Sequence, residues 1–170
     1  MAERAIARVA DTAGALLLLR PAGAGDIEQV AAIERASFSD PWSPRTFGGL
    51  LEAERVWFVV AERADGRLAG YIVMWFLVDE AEIANLAVAP DDRGRRVGAL
   101  LLDAALAAAE ARGIGTFYLE VRDSNRTARA LYGSRGFEEI ARRRRYYRSP
   151  VEDALVMRRQ RVTAGPGRSS

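Results

Sequence analysis

The stretch Leu86-Ala87-Val88-Ala89-Pro90-Asp91-Asp92-Arg93-Gly94-Arg95-Arg96-Val97-Gly98-Ala99-Leu100-Leu101 limits the possible folds of this chain more than any other. An apolar run passes into a loop rich in glycine and arginine, and the loop opens directly onto an amphipathic helix. A unit of this kind leaves backbone N–H groups unpaired at the helix start, where the positive end of the helix dipole adds to them. Such a terminus suits a phosphate or pyrophosphate. Gly94 and Gly98 let a ligand come close to the backbone, and Gly94 can also supply a positive φ. Arginine forks match phosphate oxygens. An ordinary strand–turn–helix connection has the same pattern, so the loop alone leaves both readings open.

The residue types that are missing narrow the chemistry. The chain has 170 residues, 49% of them hydrophobic and 28% charged, which fits one globular domain with a full core. It contains no cysteine, hence no disulfide, thiolate nucleophile or cysteine metal site. It contains no histidine, the usual general base and zinc ligand. No metal site is expected. All 25 basic residues are arginine, which rules out a Schiff-base or P-loop lysine. Catalysis must therefore use Glu, Asp, Tyr, Ser, Thr, Arg, backbone groups or a bound cosubstrate. The net charge of +2 is a weak argument for nucleic acid. Leu16–Leu19 is too short to span a membrane, and a cytoplasmic location is expected.

Residues 1–14 read as a flexible leader, 15–160 as one domain and 161–170 as a Gly/Pro/Ser-rich disordered tail. Within the domain, Ala15–Arg20 reads as a strand. Asp26 begins a helix running to about Ser37, and Ser43 caps a second one with Pro44 in its first turn. Val56–Glu62 and Leu68–Leu77 are strands joined at Asp65-Gly66, and Glu82–Val88 is another. Val97–Arg112 is a long helix closed by Gly113. In the strand Thr116–Val121, Phe117, Leu119 and Val121 share one face, and Tyr118, Glu120 and Arg122 the other. Ser124 or Asn125 caps a helix ending at Gly136, and Phe137–Tyr147 and Ala154–Arg158 are the last strands. This order indicates an α/β or α+β fold with a mixed sheet covered by helices.

Two residues stand out chemically. Glu120 lies in the middle of an apolar strand, either as a solvent-facing residue or as a carboxylate beside a cleft. Tyr132 shares a helical face with Ala128 and Leu131, either as a core residue or as a general acid. A phosphate-cradling loop with one carboxylate, one phenol and no metal ligands suits group transfer from a phosphorylated carrier.

At these residues the chain resembles the GNAT superfamily of acetyl-CoA-dependent N-acetyltransferases. The family pattern Q/R-x-x-G-x-G/A matches Arg93-Gly94-Arg95-Arg96-Val97-Gly98, with Arg96 in place of the middle glycine. The likeness extends from about Leu17 to Arg158. It is most specific to the bacterial RimI branch, through Asp40-Pro41-Trp42-Ser43, Leu119-Glu120-Val121-Arg122-Asp123-Ser124-Asn125, Ala130-Leu131-Tyr132 and Arg143-Arg144-Arg145-Tyr146-Tyr147.

The resemblance implies a GNAT fold, with a single mixed, mostly antiparallel sheet of about seven strands and about four helices. It implies that Leu86, Ala87 and Val88 pair with the pantetheine arm of acetyl-CoA, and that Arg93, Gly94, Arg95, Arg96, Val97, Gly98 and Ala99 hold the pyrophosphate. Asn125 would bind beside the thioester. Glu120 would be the general base, through water, and Tyr132 the general acid toward the leaving thiolate. Trp42, Tyr146 and Tyr147 would line the peptide entrance, although the two tyrosines also read as alternating strand residues. The expected acceptor is the N-terminal α-amine of a protein, with the N-terminal alanine of ribosomal protein S18 as the branch substrate; lysine side chains and small amines are the alternative. In Arg142-Arg143-Arg144-Arg145 a strand would alternate the side chains between faces, so direct nucleic-acid binding is not expected.

Overall fold

A computed structural model describes residues 5–161 of the chain. The described elements are β1 (Ala7–Ala10), β2 (Leu16–Pro21), α1 (Ile27–Ser37), α2 (Pro44–Leu50), β3 (Val56–Arg63), β4 (Leu68–Phe76), β5 (Glu80–Val88), α3 (Val97–Glu110), β6 (Thr116–Arg122), α4 (Arg126–Ser134), β7 (Glu138–Arg148) and β8 (Val151–Gln160). The strands form one sheet in the order β1-β2-β3-β4-β5-β6-β8-β7. Only β5 and β6 run parallel, because the chain crosses between them through α3; the other neighbours are antiparallel.

Each face of the sheet carries its own core. On one side Leu101, Leu102, Ala105 and Leu106 of α3 pack on Ile72, Ile83, Phe117 and Leu119, joined by Tyr132 of α4. On the other side Val30 and Ile33 of α1 and Phe47 and Leu50 of α2 pack on Phe58, Tyr71 and Val73. Period-2 strands supply both sets from alternate residues, and burying each large apolar side chain contributes about 1.5–3 kcal/mol. Gly70 of β4 marks a close approach to β5 and α3. A Cβ there would lie 2.7 Å from the Ala87 carbonyl oxygen and 3.2 Å from Leu101 Cδ1, so only glycine lets the β5 backbone pass this close.

The N-terminal reading needs correction. Residues 7–10, expected within a flexible leader, form β1 and pair with Leu16–Leu19 of β2, giving eight strands rather than about seven. The hairpin turn is held by the buried Asp11, whose Oδ1 accepts from the N–H groups of Ala13 (2.8 Å) and Ala15 (3.0 Å). Of the expected tail, Arg161 is tied by its N–H to the Gly115 carbonyl at 2.7 Å; residues 162–170 lie outside the described residues. The helix caps follow local chemistry. Ser43 Oγ accepts from Thr46 N and Asn125 Oδ1 from Ala128 N.

Two bulges shape the sheet where function is expected. In β5, Asn85 pairs with Val73 and Ile83 with Met74, leaving Ala84 as an extra residue. The parallel pairing of β5 with β6 ends at Ile83↔Leu119, next to that bulge, so the two strands separate beyond it. In β7, Arg143 faces Ala154 and Tyr147 faces Glu152, so Arg144, Arg145 and Tyr146 lie opposite Asp153 alone. Arg145 takes φ +53° there, and its N–H donates to Asp153 Oδ1 at 2.9 Å. The bulge corrects the expected strict alternation of the arginine run.

Candidate active site

A cleft of about 800 Å³ opens where β5 and β6 part. Leu86, Ala87 and Val88 line it from β5, and Arg93, Gly94, Arg96, Val97, Gly98 and Ala99 from the loop and first turn of α3. Asn125, the N-cap of α4, and Tyr132 of α4 line it from the opposite side. Arg95 is absent from the lining; its backbone carbonyl accepts from Thr12 N at 3.3 Å. Sequence reasoning missed Thr127, Ala128 and Leu131, the turn of α4 that faces the cleft, and Ser37 and Phe38 at the end of α1. Helical spacing from Asn125 and Tyr132 could have found the first group.

The loop satisfies the stereochemistry of a phosphate cradle at a cost. Gly94 has φ +77°, and Arg96, the N-cap of α3, sits at φ +65° where the family pattern carries glycine. A non-glycine residue held there is strained by about 1–2 kcal/mol. The Arg96 side chain makes no cap hydrogen bond, so the first amides of α3 have no side-chain acceptor. A pyrophosphate would supply one, and the cleft therefore fits a nucleotide-linked carrier. A Cβ on Gly98 would meet only ordinary contacts at 3.5 Å, from Leu131 and Val88, so this glycine is not required for packing. Within the lining, the Arg93 side chain is held by residues of the cleft wall. It donates to the Val88 carbonyl at 3.2 Å and to Ser37 Oγ at 3.1 Å.

Tyr132 is 7% exposed and meets Phe137 edge-to-face at 5.7 Å. Burial, and then the nearby Tyr147 phenol, push its pKa well above the ordinary phenol value. It is therefore protonated at neutral pH.

Glu120 lies outside the cleft lining, on the strand face that alternation assigns to it. Its Oε1 is 3.1 Å from Arg143 Nε, and its charge reaches the Tyr146 hydroxyl. That carboxylate, followed by partial desolvation, raises the Tyr146 pKa. For Tyr147 the order is reversed, with desolvation first and Glu120 second. The β7 bulge explains how two consecutive tyrosines both come under the influence of Glu120; their rings meet edge-to-face at 5.2 Å. Tyr147 contributes to the raised Tyr132 pKa, and Glu120 contributes to its own. Glu82 of β5, which sequence reasoning passed over, has a raised pKa through desolvation and the neighbouring Glu120.

Two arrangements hold the walls. The Arg122 guanidinium lies 4.1 Å over the Tyr147 ring and donates to Ser39 Oγ (2.9 Å) and the Pro150 carbonyl (3.3 Å). Glu34, 1% exposed, accepts from the Tyr71 hydroxyl, from Asn85 Nδ2 at 2.8 Å and from Trp42 N at 3.0 Å. One buried carboxylate thus ties the β5 bulge to the loop around Trp42. The Trp42 ring itself is half-buried against Phe47, with centroids 5.5 Å apart. In the arginine run, Arg142 pairs with Asp123 (2.8 Å) and Asp153 (3.3 Å), and Arg143 with Glu120.

Comparison with known proteins accords with this geometry. Residues 27–137 match the acetyltransferase (GNAT) family model. The chain is 40% identical over 134 residues to the [ribosomal protein bS18]-alanine N-acetyltransferase of Salmonella typhimurium, covering 78% of this chain and 89% of that protein. It is 40% identical over 140 residues to the N-alpha-acetyltransferase RimI of Mycobacterium tuberculosis, covering 79% and 86%. The crystal structure of the ribosomal-protein-S18-alanine N-acetyltransferase from Escherichia coli superposes with a TM-score of 0.80 at 33% identity, covering 91% of this chain and 99% of that one. A parallel pair that parts beside a glycine loop, a helix start without a side-chain cap and a family match over 27–137 agree: the chain belongs to the GNAT family of acetyltransferases.

Proposed function

We propose that the protein transfers the acetyl group of acetyl-CoA to the N-terminal α-amine of a protein, with the N-terminal alanine of ribosomal protein S18 as substrate, in the cytoplasm. The observation that carries the peptide reading is the β7 bulge, which brings Tyr146 and Tyr147 together at Glu120. Two phenols beside a carboxylate offer hydrogen-bond partners for a peptide backbone next to an ammonium group; a small amine needs no such partners. The likeness to S18-alanine and N-α-acetyltransferases supports the same reading.

Acetyl-CoA supplies an activated acetyl thioester. The backbone of Leu86–Val88 and the first turn of α3 line the cleft that would hold it, with Asn125 on the far side. Glu120 takes the proton of the α-ammonium through a water, a mild task because that group has a pKa of about 7.7–8.0. A backbone N–H near Val88 stabilises the oxygen that gains charge. Tyr132 hydrogen-bonds the departing sulfur and gives it a proton as the C–S bond breaks. Burial makes this phenol a weaker acid than usual, so its main contribution is an oriented hydrogen bond available at every physiological pH. The amine attacks directly, since the chain has no cysteine to carry the acetyl group.

The test is thiol release from acetyl-CoA with two peptides. One begins with the free N-terminal alanine of S18; the other has a blocked N-terminus and an internal lysine. Turnover on the first alone is expected. Turnover on the second alone would assign the enzyme to lysine side chains.

A further inference from the structure

The most deeply buried ion cluster among the described residues lies outside the chemistry. Asp11, Arg63 and Asp92 have side chains 0%, 9% and 3% exposed. Arg63, at the end of β3, donates from Nη1 to Asp11 Oδ2 at 2.9 Å. It also donates from Nε and Nη2 to Asp92 Oδ1, at 2.8 and 2.5 Å. Asp11 forms the turn of the β1–β2 hairpin, N-terminal to the family match at 27–137. Asp92 ends the short 3-10 turn Pro90–Asp92, lines the cleft and leads directly into Arg93–Arg96. The hairpin makes a second, independent contact with the same loop, from Thr12 N to the Arg95 carbonyl at 3.3 Å.

We propose that Asp11 is a positioning residue for the pyrophosphate loop, acting through Arg63 and Asp92, and that the β1–β2 hairpin thereby sets the affinity for coenzyme A. The inference rests on the acetyl-CoA reading of the cleft. The loop contains two residues at positive φ, Gly94 and Arg96, and its own side chains do not cap α3. Its amides can meet a pyrophosphate together only if the backbone is held from outside. Arg63 fixes the loop at Asp92, before the strained residues, and Thr12 fixes it at Arg95, between them. A buried arginine shared by two carboxylates suits this task because its planar fork fixes direction as well as distance.

Asp11→Asn and Asp11→Ala test the proposal. Asparagine keeps an acceptor for the Ala13 and Ala15 amides but loses the charge that holds Arg63; alanine loses both. The Kd for CoA, measured by titration calorimetry, and the KM for acetyl-CoA are expected to rise about three- to tenfold, more for alanine than for asparagine. The KM for acetyl-pantetheine, which lacks the pyrophosphate, the KM for the peptide and kcat are expected to stay unchanged. If Asp11 served folding alone, the active fraction would fall, lowering kcat equally with both donors at constant Kd. That result, or equal KM shifts for both donors, or an unchanged Kd for CoA, would overturn the proposal. If the alanine chain does not fold, the asparagine chain decides. Failure of the wild-type protein to bind CoA would overturn the cofactor reading together with this inference, whereas an unchanged Kd in the variants overturns only the inference.

Discussion

The cleft and the proposed acceptor side of this molecule are built differently. The cleft is lined by β5 past its bulge, a glycine-containing loop, the first turn of α3 and one face of α4, and its phosphate cradle consists of main-chain amides without a side-chain cap. The acceptor side is made of side chains, Glu120, Glu82, Arg143, Tyr146 and Tyr147, on half-buried and exposed strand positions held by a second bulge. Main-chain amides tolerate substitution of their own side chains, as Arg96 at a glycine position shows. Side-chain chemistry does not. Mutations on the acceptor side are therefore expected to change rates or the peptide KM, and those in the loop to change stability or cofactor affinity.

Glu120→Gln strains this division most. Its kcat should fall roughly 10²–10⁴-fold, with the KM for acetyl-CoA nearly unchanged; steady-state kinetics with the alanine peptide will show it, and full activity across the pH range would remove Glu120 from the mechanism. Tyr132→Phe should slow thiol release by roughly 10²-fold, at the low end for a proton donor, while thermal unfolding stays near wild type because the ring still packs on Phe137. An unchanged rate would make Tyr132 a packing residue. Tyr146→Phe loses the hydroxyl that the Glu120 charge reaches and should raise the peptide KM by about two- to tenfold; no change would move the peptide away from the bulge.

Smaller effects probe the frame and the loop. Burial alone would raise the Asp26 pKa, but the hydrogen bond from Arg20, the Gly23 N–H and the Arg20 charge outweigh it and hold the carboxyl below the ordinary value. Its contribution is therefore present above the unfolded-state pKa of about 3.9 and is lost as pH falls through the lower folded value. Asp26→Asn should show a shallower loss of the urea midpoint on acidification than wild type. An unchanged acid slope would contradict the assignment. Arg96→Gly should stabilise by about 0.5–1 kcal/mol, since it removes the left-handed strain and adds only glycine's chain entropy. A lower Tm would show that the Arg96 side chain has a role of its own.

What could be read in the sequence was mostly local. The phosphate loop, the Ser43 and Asn125 caps and the face of Glu120 depend on residues a few positions apart, and short-range periodicity suffices to place them. The Asp11–Arg63 pair could not be read in that way, because its members are 52 residues apart and the turn around Asp11 looks like any polar turn. The same holds for Glu34 of α1, whose partners Tyr71 and Asn85 lie on two strands. The bulges at Ala84 and Arg144–Tyr146 were also invisible, since register depends on which neighbour a strand finds. Without the second bulge, Tyr146 and Tyr147 read as residues on opposite faces.

The division between the two sides is tested most directly by the CoA affinity of the double variant Glu120→Gln/Tyr132→Phe. If main chain binds the carrier and side chains do the chemistry, the Kd stays within about threefold of wild type, near the low end of a lost hydrogen bond, in a protein that acetylates no peptide. A Kd that weakens in step with the loss of activity would show that cofactor binding and chemistry share the same side chains, and would contradict the division.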